Sequence, residues 1–89
     1  MARVLCDPDE LELFTNALDS YIDKIVDETR MIKEEHDRLQ ETWQDDKAER
    51  FDEDFEALVI SVAIFKESAE AQIPILRTLV EKIREYQKG

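Results

Sequence analysis

The stretch Leu39-Gln40-Glu41-Thr42-Trp43-Gln44-Asp45-Asp46-Lys47-Ala48-Glu49-Arg50-Phe51 decides how this chain folds. It holds the single tryptophan and lies near the middle of 89 residues, and an apolar repeat stops and restarts within it. Read as a turn, it divides the chain into two helices of similar length. Trp43 closes the first, Asp45 or Asp46 caps the second, and Ala48 and Phe51 begin a second apolar stripe. The expected organisation is one helical-hairpin domain over residues 1–89, with a helix over 8–43, a turn over 44–46 and a helix over 47–87.

Upstream of the turn, Asp7-Pro8-Asp9-Glu10 is a helix start. Asp7 suits the N-cap, Pro8 suits the first helical position, and Glu10 stands where a capping box places its acid. From there Leu18, Ile22, Ile25, Ile32, Leu39 and Trp43 recur at helical spacing, with Leu11 and Phe14 leading in and Thr29 and His36 in the same stripe. A second register through Phe14 and Tyr21 overlaps the first, so the stripe is broader than the seam of a two-stranded coiled coil. No Gly or Pro interrupts Asp9 to Trp43, which predicts a helix of about 35 residues and about 50 Å. His36 reads as a boundary imidazole with a local partner.

Downstream, a heptad runs through Ala48, Phe51, Phe55, Leu58, Val62, Phe65, Ala69, Gln72, Leu76, Leu79, Ile83 and Tyr86. Around it sit Val59, Ile60, Ile64, Ile73, Ile75 and Val80, and between Ala57 and Phe65 only Ser61 is polar. A helix apolar on all sides needs neighbours on all sides. Pro74 removes one backbone hydrogen bond and crowds the carbonyl of Glu70. Because the pattern stays in phase across it, the expectation is a kink near Glu70–Pro74; a full break would give three helices.

Composition narrows the function. One Gly and two Pro are too few for a strand-and-turn fold. The formal net charge of −11 opposes binding to nucleic acid and to anionic lipid. No run approaches the ~18 apolar residues of a membrane span, and the N-terminus turns acidic too soon for a secretory signal. The expected location is therefore the cytoplasm, or outside the cell by a route without a cleaved signal peptide. Cys6, the single cysteine, has no intramolecular disulfide partner. The acidic runs Asp52-Glu53-Asp54-Glu56 and Glu34-Glu35 lack the glycine and alternating spacing of a calcium loop and read as exposed helix faces. No phosphate loop, nucleophile elbow or Cys/His metal spacing occurs. The expectation is a non-enzymatic protein with no catalytic, cofactor or metal site.

Two long helices joined by a few residues run antiparallel along one contact line, which makes a marginal fold by itself. The surplus apolar surface between Leu58 and Phe65 predicts dimerisation into a four-helix bundle. Burying ~1,000 Å² at ~25 cal/mol per Å² gives a gross gain of about 25 kcal/mol, above the usual cost of association. Phe55, Leu58, Val59, Val62 and Phe65 are the candidate interface residues, some of which serve only the seam within the chain.

A hairpin of this length with a tryptophan at its turn and Phe51 soon after resembles the Trp-X-Gly (WXG, ESAT-like) proteins of bacterial type VII secretion. The residues that carry the resemblance are Leu39, Trp43, Ala48, Phe51, Phe55 and Leu58, and the turn motif comprises Trp43, Asp45, Asp46 and Phe51. The resemblance implies a homodimeric or heterodimeric four-helix bundle, exported folded or escorting a larger secreted toxin. It also implies that Trp43 packs on the start of the second helix. Asp45 stands where that family has Gly, and an aromatic-x-x-acid export tail is missing after Tyr86; both features look more like a partner subunit whose mate carries the signal. The alternative is an acidic cytosolic regulator, an immunity protein or antitoxin, whose charge draws it to a basic protein.

Overall fold

The computed structural model describes residues 6–88 as two helices, α1 (Pro8–Gln40) and α2 (Asp46–Lys88), packed against each other as a hairpin 66 × 23 × 15 Å in extent. Local chemistry sets the ends. The Asp7 carboxylate accepts from the Asp9 N–H at 2.9 Å, with Pro8 at the first helical position. At the other end of α1 the Leu39 carbonyl accepts from both Thr42 N–H at 3.1 Å and Trp43 N–H at 2.9 Å. This shared bond tightens the last turn, so α1 stops at Gln40, three residues before the expected end at Trp43.

The second cap is Asp45. Its carboxylate accepts from Ala48 N–H at 2.9 Å, and its carbonyl accepts from Glu49 N–H at 3.2 Å. Asp46 is already the first residue of α2, where its charge favours the positive helix end. Among the described residues none has positive φ, so the connection forms without the left-handed conformation that would call for glycine. This removes the conformational need for Gly at position 45.

The seam within the hairpin follows a 4-3 repeat on both helices. On α1 it runs through Pro8, Leu11, Thr15, Leu18, Ile22, Ile25, Thr29 and His36, all buried or half-buried. Its polar members are satisfied locally: Thr15 Oγ1 donates to the Leu11 carbonyl at 2.7 Å and Thr29 Oγ1 to the Ile25 carbonyl at 2.6 Å. On α2 two rows face α1. One is Ala48, Phe55, Val62, Ala69, Leu76 and Ile83; the other is Asp52, Val59, Lys66, Ile73 and Val80. The second row differs from the expected heptad, which placed Phe51, Leu58, Phe65, Gln72, Leu79 and Tyr86 beside the first. Those six residues are exposed. The rows that begin at Phe51 and at Asp52 flank the Ala48 row on either side and are spaced identically, and the hairpin turns the more polar one inward. It can do so because Asp52 finds a partner on α1 and Lys66 extends its ammonium to Glu70 at 3.0 Å.

α2 is continuous through Pro74. The ring lies on an exposed position between the seam residues Ile73 and Leu76, so the Glu70 carbonyl that loses its N–H partner can turn to water. The break into a third helix does not occur.

Asp45→Ala should lower stability by about 1 kcal/mol, the usual cost of losing an N-cap acceptor. Asp46→Ala should cost clearly less. Urea unfolding of both variants at one protein concentration checks the assignment, and equal losses would contradict it.

Candidate interaction surface

At the turn end, an aromatic string joins the two helices. Trp43 is half-buried with its ring centroid 5.8 Å from that of Phe51. Phe51 stacks on Phe55 at 6.0 Å, and the His36 ring lies 4.4 Å from Phe55. His36 Nε2 is 2.7 Å from Asp52 Oδ1. A carboxylate only accepts, so the imidazole donates from Nε2. The histidine's partner is therefore on the other helix, 16 residues away in sequence. Asp52 leaves the exposed acidic run expected for residues 52–56, because its position in the repeat turns it inward; Glu53, Asp54 and Glu56 stay exposed.

At the opposite end, two guanidinium groups tie α2 to α1. Arg84 reaches Asp9 at 2.8 Å and Glu12 at 3.2 Å, and Arg77 reaches Asn16 at 2.9 Å and Asp19 at 3.2 Å. The guanidinium's hydrogen bonds to the Glu12 carboxylate, and then to that of Asp9, hold the Arg84 pKa above its ordinary value. These pairs lie along one edge of the seam. Tyr21 and Phe65 mark the other edge, meeting edge to face with centroids 6.0 Å apart.

The five candidate interface residues separate into two groups. Phe55, Val59 and Val62 are half-buried in the seam, whereas Leu58 is 57 % exposed and Phe65 is 41 % exposed. Ile60 and Ile64, at 53 % and 63 % exposed, also lack cover from α1. The edge marked by Tyr21 and Phe65 thus carries an apolar face. Phe14 and Tyr21 come from α1, and Leu58, Phe65 and Leu79 from α2. On α1, Ile32 and Leu39 are exposed beside it, at 50 % and 41 %. Their exposure coincides with the loosest part of the seam, where open hollows of about 340 Å³ and 440 Å³ flank Lys33, Asp37 and Val59. The length of the apolar repeat signals this face, but its composition does not follow from the repeat, because the row facing α1 is the one that begins at Asp52 and not the one that begins at Phe51.

Among the described residues no three His, Cys, Asp or Glu side chains converge as a metal site, and no helix is long and apolar enough to cross a membrane. No protein family, curated protein or solved structure matches the chain.

Asp52→Ala strands the Nε2 donor of a histidine whose side chain is only 12 % exposed. It should cost about 1–3 kcal/mol, and a double-mutant cycle with His36→Ala should recover most of that loss as coupling. Additive losses would show that the pair contributes nothing to the turn.

Proposed function

We propose that this chain is a non-enzymatic interaction protein whose hairpin pairs with another helical hairpin to complete a four-helix bundle. The observation that carries this reading is the row Phe51, Leu58, Phe65, Leu79 and Tyr86, five large side chains left exposed on a hairpin of two helices. Each is one helical row away from the seam, where the second neighbour of a helix in a four-helix bundle would lie. Water on that row costs free energy that a second hairpin would recover. Phe14 and Tyr21 continue the face onto α1, so the partner would span both helices.

The setting we infer is bacterial type VII secretion, with the chain as a WXG-like substrate or partner subunit acting as a homodimer or heterodimer. Support for it comes from the turn, where Trp43 packs on Phe51 as the resemblance implies. A second reading is favoured by the charge of −11: an acidic regulator held on a basic partner. Salt separates the two, because apolar burial persists at high ionic strength and exposed charge pairs are screened.

Light scattering of the purified chain at micromolar concentration should give the mass of a dimer, or of a complex with a hairpin partner when the two are produced together. Leu58→Glu combined with Phe65→Glu should abolish the larger species in about 0.5 M salt, where the Debye length is shorter than its ~8 Å at physiological ionic strength, while the chain retains helix. A well-folded wild-type monomer that takes up no hairpin partner would refute the proposal.

A further inference from the structure

We infer that the edge of the seam away from Tyr21 and Phe65 holds a binding site for an amphiphilic carboxylate, a single aliphatic chain ending in a carboxyl group. The site lies where Arg30 and Lys33 of α1 face Ala63 of α2. It stands apart from the bundle reading, which uses the opposite edge.

The ion pairs on that edge follow a step of seven residues. Arg84 reaches Asp9 and Glu12, and Arg77 reaches Asn16 and Asp19. Two steps further along each helix, position 63 of α2 meets positions 30 and 33 of α1. The charges there are reversed and one partner is missing. α1 supplies two cations, and α2 supplies Ala63, which has no carboxylate to answer them. Arg30, Lys33 and Ala63 all border an open hollow of about 340 Å³. The seam is loose on both sides of it: among the described residues none of α1 beyond Ile22 is buried, nor any of α2 between Ala48 and Ala69.

The hollow combines an apolar floor with a basic rim. Val26, Val59 and Val62 line it beside Ala63, and an aliphatic chain laid on them would take its own surface and theirs out of water. Lys66 adds a third cation. Glu34 and Glu70 engage Arg30 and Lys66 at 3.3 Å and 3.0 Å, but both pairs are exposed and cost little to rearrange. Among the described residues Lys33 has no ion-pair partner, so its ammonium is the first seat for a carboxylate. Asp37 also borders the hollow, and its charge opposes a second anionic group on the ligand. A further hollow of about 440 Å³ continues past Lys33, Asp37 and Val59 toward His36 and Phe55, giving the tail a path along the seam. Both volumes fall within the ~300–1,000 Å³ of small-molecule sites. The net charge of −11 repels a segment with many acids, whereas one carboxylate on an apolar tail meets the least of that field.

The test is calorimetric titration of the full chain with dodecanoate, below the concentration at which it forms micelles, with methyl NMR to place it. Binding should saturate and should shift the methyl signals of Val59, Val62 and Ala63 but not those of Leu58. Lys33→Gln should weaken binding about tenfold, the weight of one charge-assisted contact, and Asp37→Asn should strengthen it. Ala63→Glu provides the missing carboxylate from within the chain and should abolish binding while helix content and thermal midpoint are kept. Dodecyltrimethylammonium, with the same tail and a cationic head, should leave these methyls unmoved. Absence of saturable binding would overturn the inference, as would dodecanoate seated at Leu58 or an equal response to the cationic amphiphile. Hollow methyls that shift with protein concentration alone would show a second copy on this edge, and a glutamate hexapeptide that binds more tightly than dodecanoate would show an acidic segment; either result also overturns it. None of these outcomes bears on the face of Leu58 and Phe65.

Discussion

Two helices that touch along one line each hide a single stripe, and α2 is apolar over more than one. That constraint organises the molecule. The hairpin seam takes the rows that begin at Ala48 and Asp52, and the row of Phe51, Leu58, Phe65, Leu79 and Tyr86 is left outside. The inward choice includes Asp52 and Lys66, so it is not the choice that buries most apolar surface within one chain. Each polar intruder has a specific partner, Asp52 on His36 and Lys66 on Glu70. A helix at the corner of a bundle has two neighbours and needs two adjacent rows, and α2 carries both.

The two ends of the hairpin are held by different physics. The turn end is aromatic: Trp43, Phe51, His36 and Phe55 pack in sequence, with one hydrogen bond across. The far end is ionic, with Arg77 and Arg84 reaching carboxylates of α1. Exposed ion pairs contribute little each but they fix alignment, and all lie on one edge of the seam. The other edge carries no such clasp among the described residues, and Phe14, Tyr21, Phe65 and Leu79 are exposed there. Between the ends the seam loosens around Thr29–His36, where Ile32 is half exposed.

Much of the fold was legible in the sequence because long-range order here is only periodicity plus caps. The single turn, the start of α1 and continuity through Pro74 follow from residue chemistry at known positions. Three features were not legible. α1 stops at Gln40 because the Leu39 carbonyl takes two N–H groups, a detail of the last turn that side-chain pattern does not encode. The cap of α2 is Asp45 and not Asp46, a choice between neighbours with the same side chain. The inward row of α2 does not follow from apolarity, which favours Phe51, Leu58 and Phe65, because the actual row needs a histidine and a glutamate elsewhere to satisfy Asp52 and Lys66. For the candidate surface, this shift by one row moved Leu58 and Phe65 outward and left Phe55, Val59 and Val62 in the seam.

The central claim is that this fold is completed by association, so its stability must depend on how much protein is present. The direct measurement is the thermal midpoint by circular dichroism at concentrations differing about a hundredfold, in a buffer near physiological salt. The account predicts that the midpoint rises steadily with concentration and that the transition sharpens into one cooperative step. A sharp transition with the same midpoint at every concentration would contradict it, since one hairpin would then be sufficient.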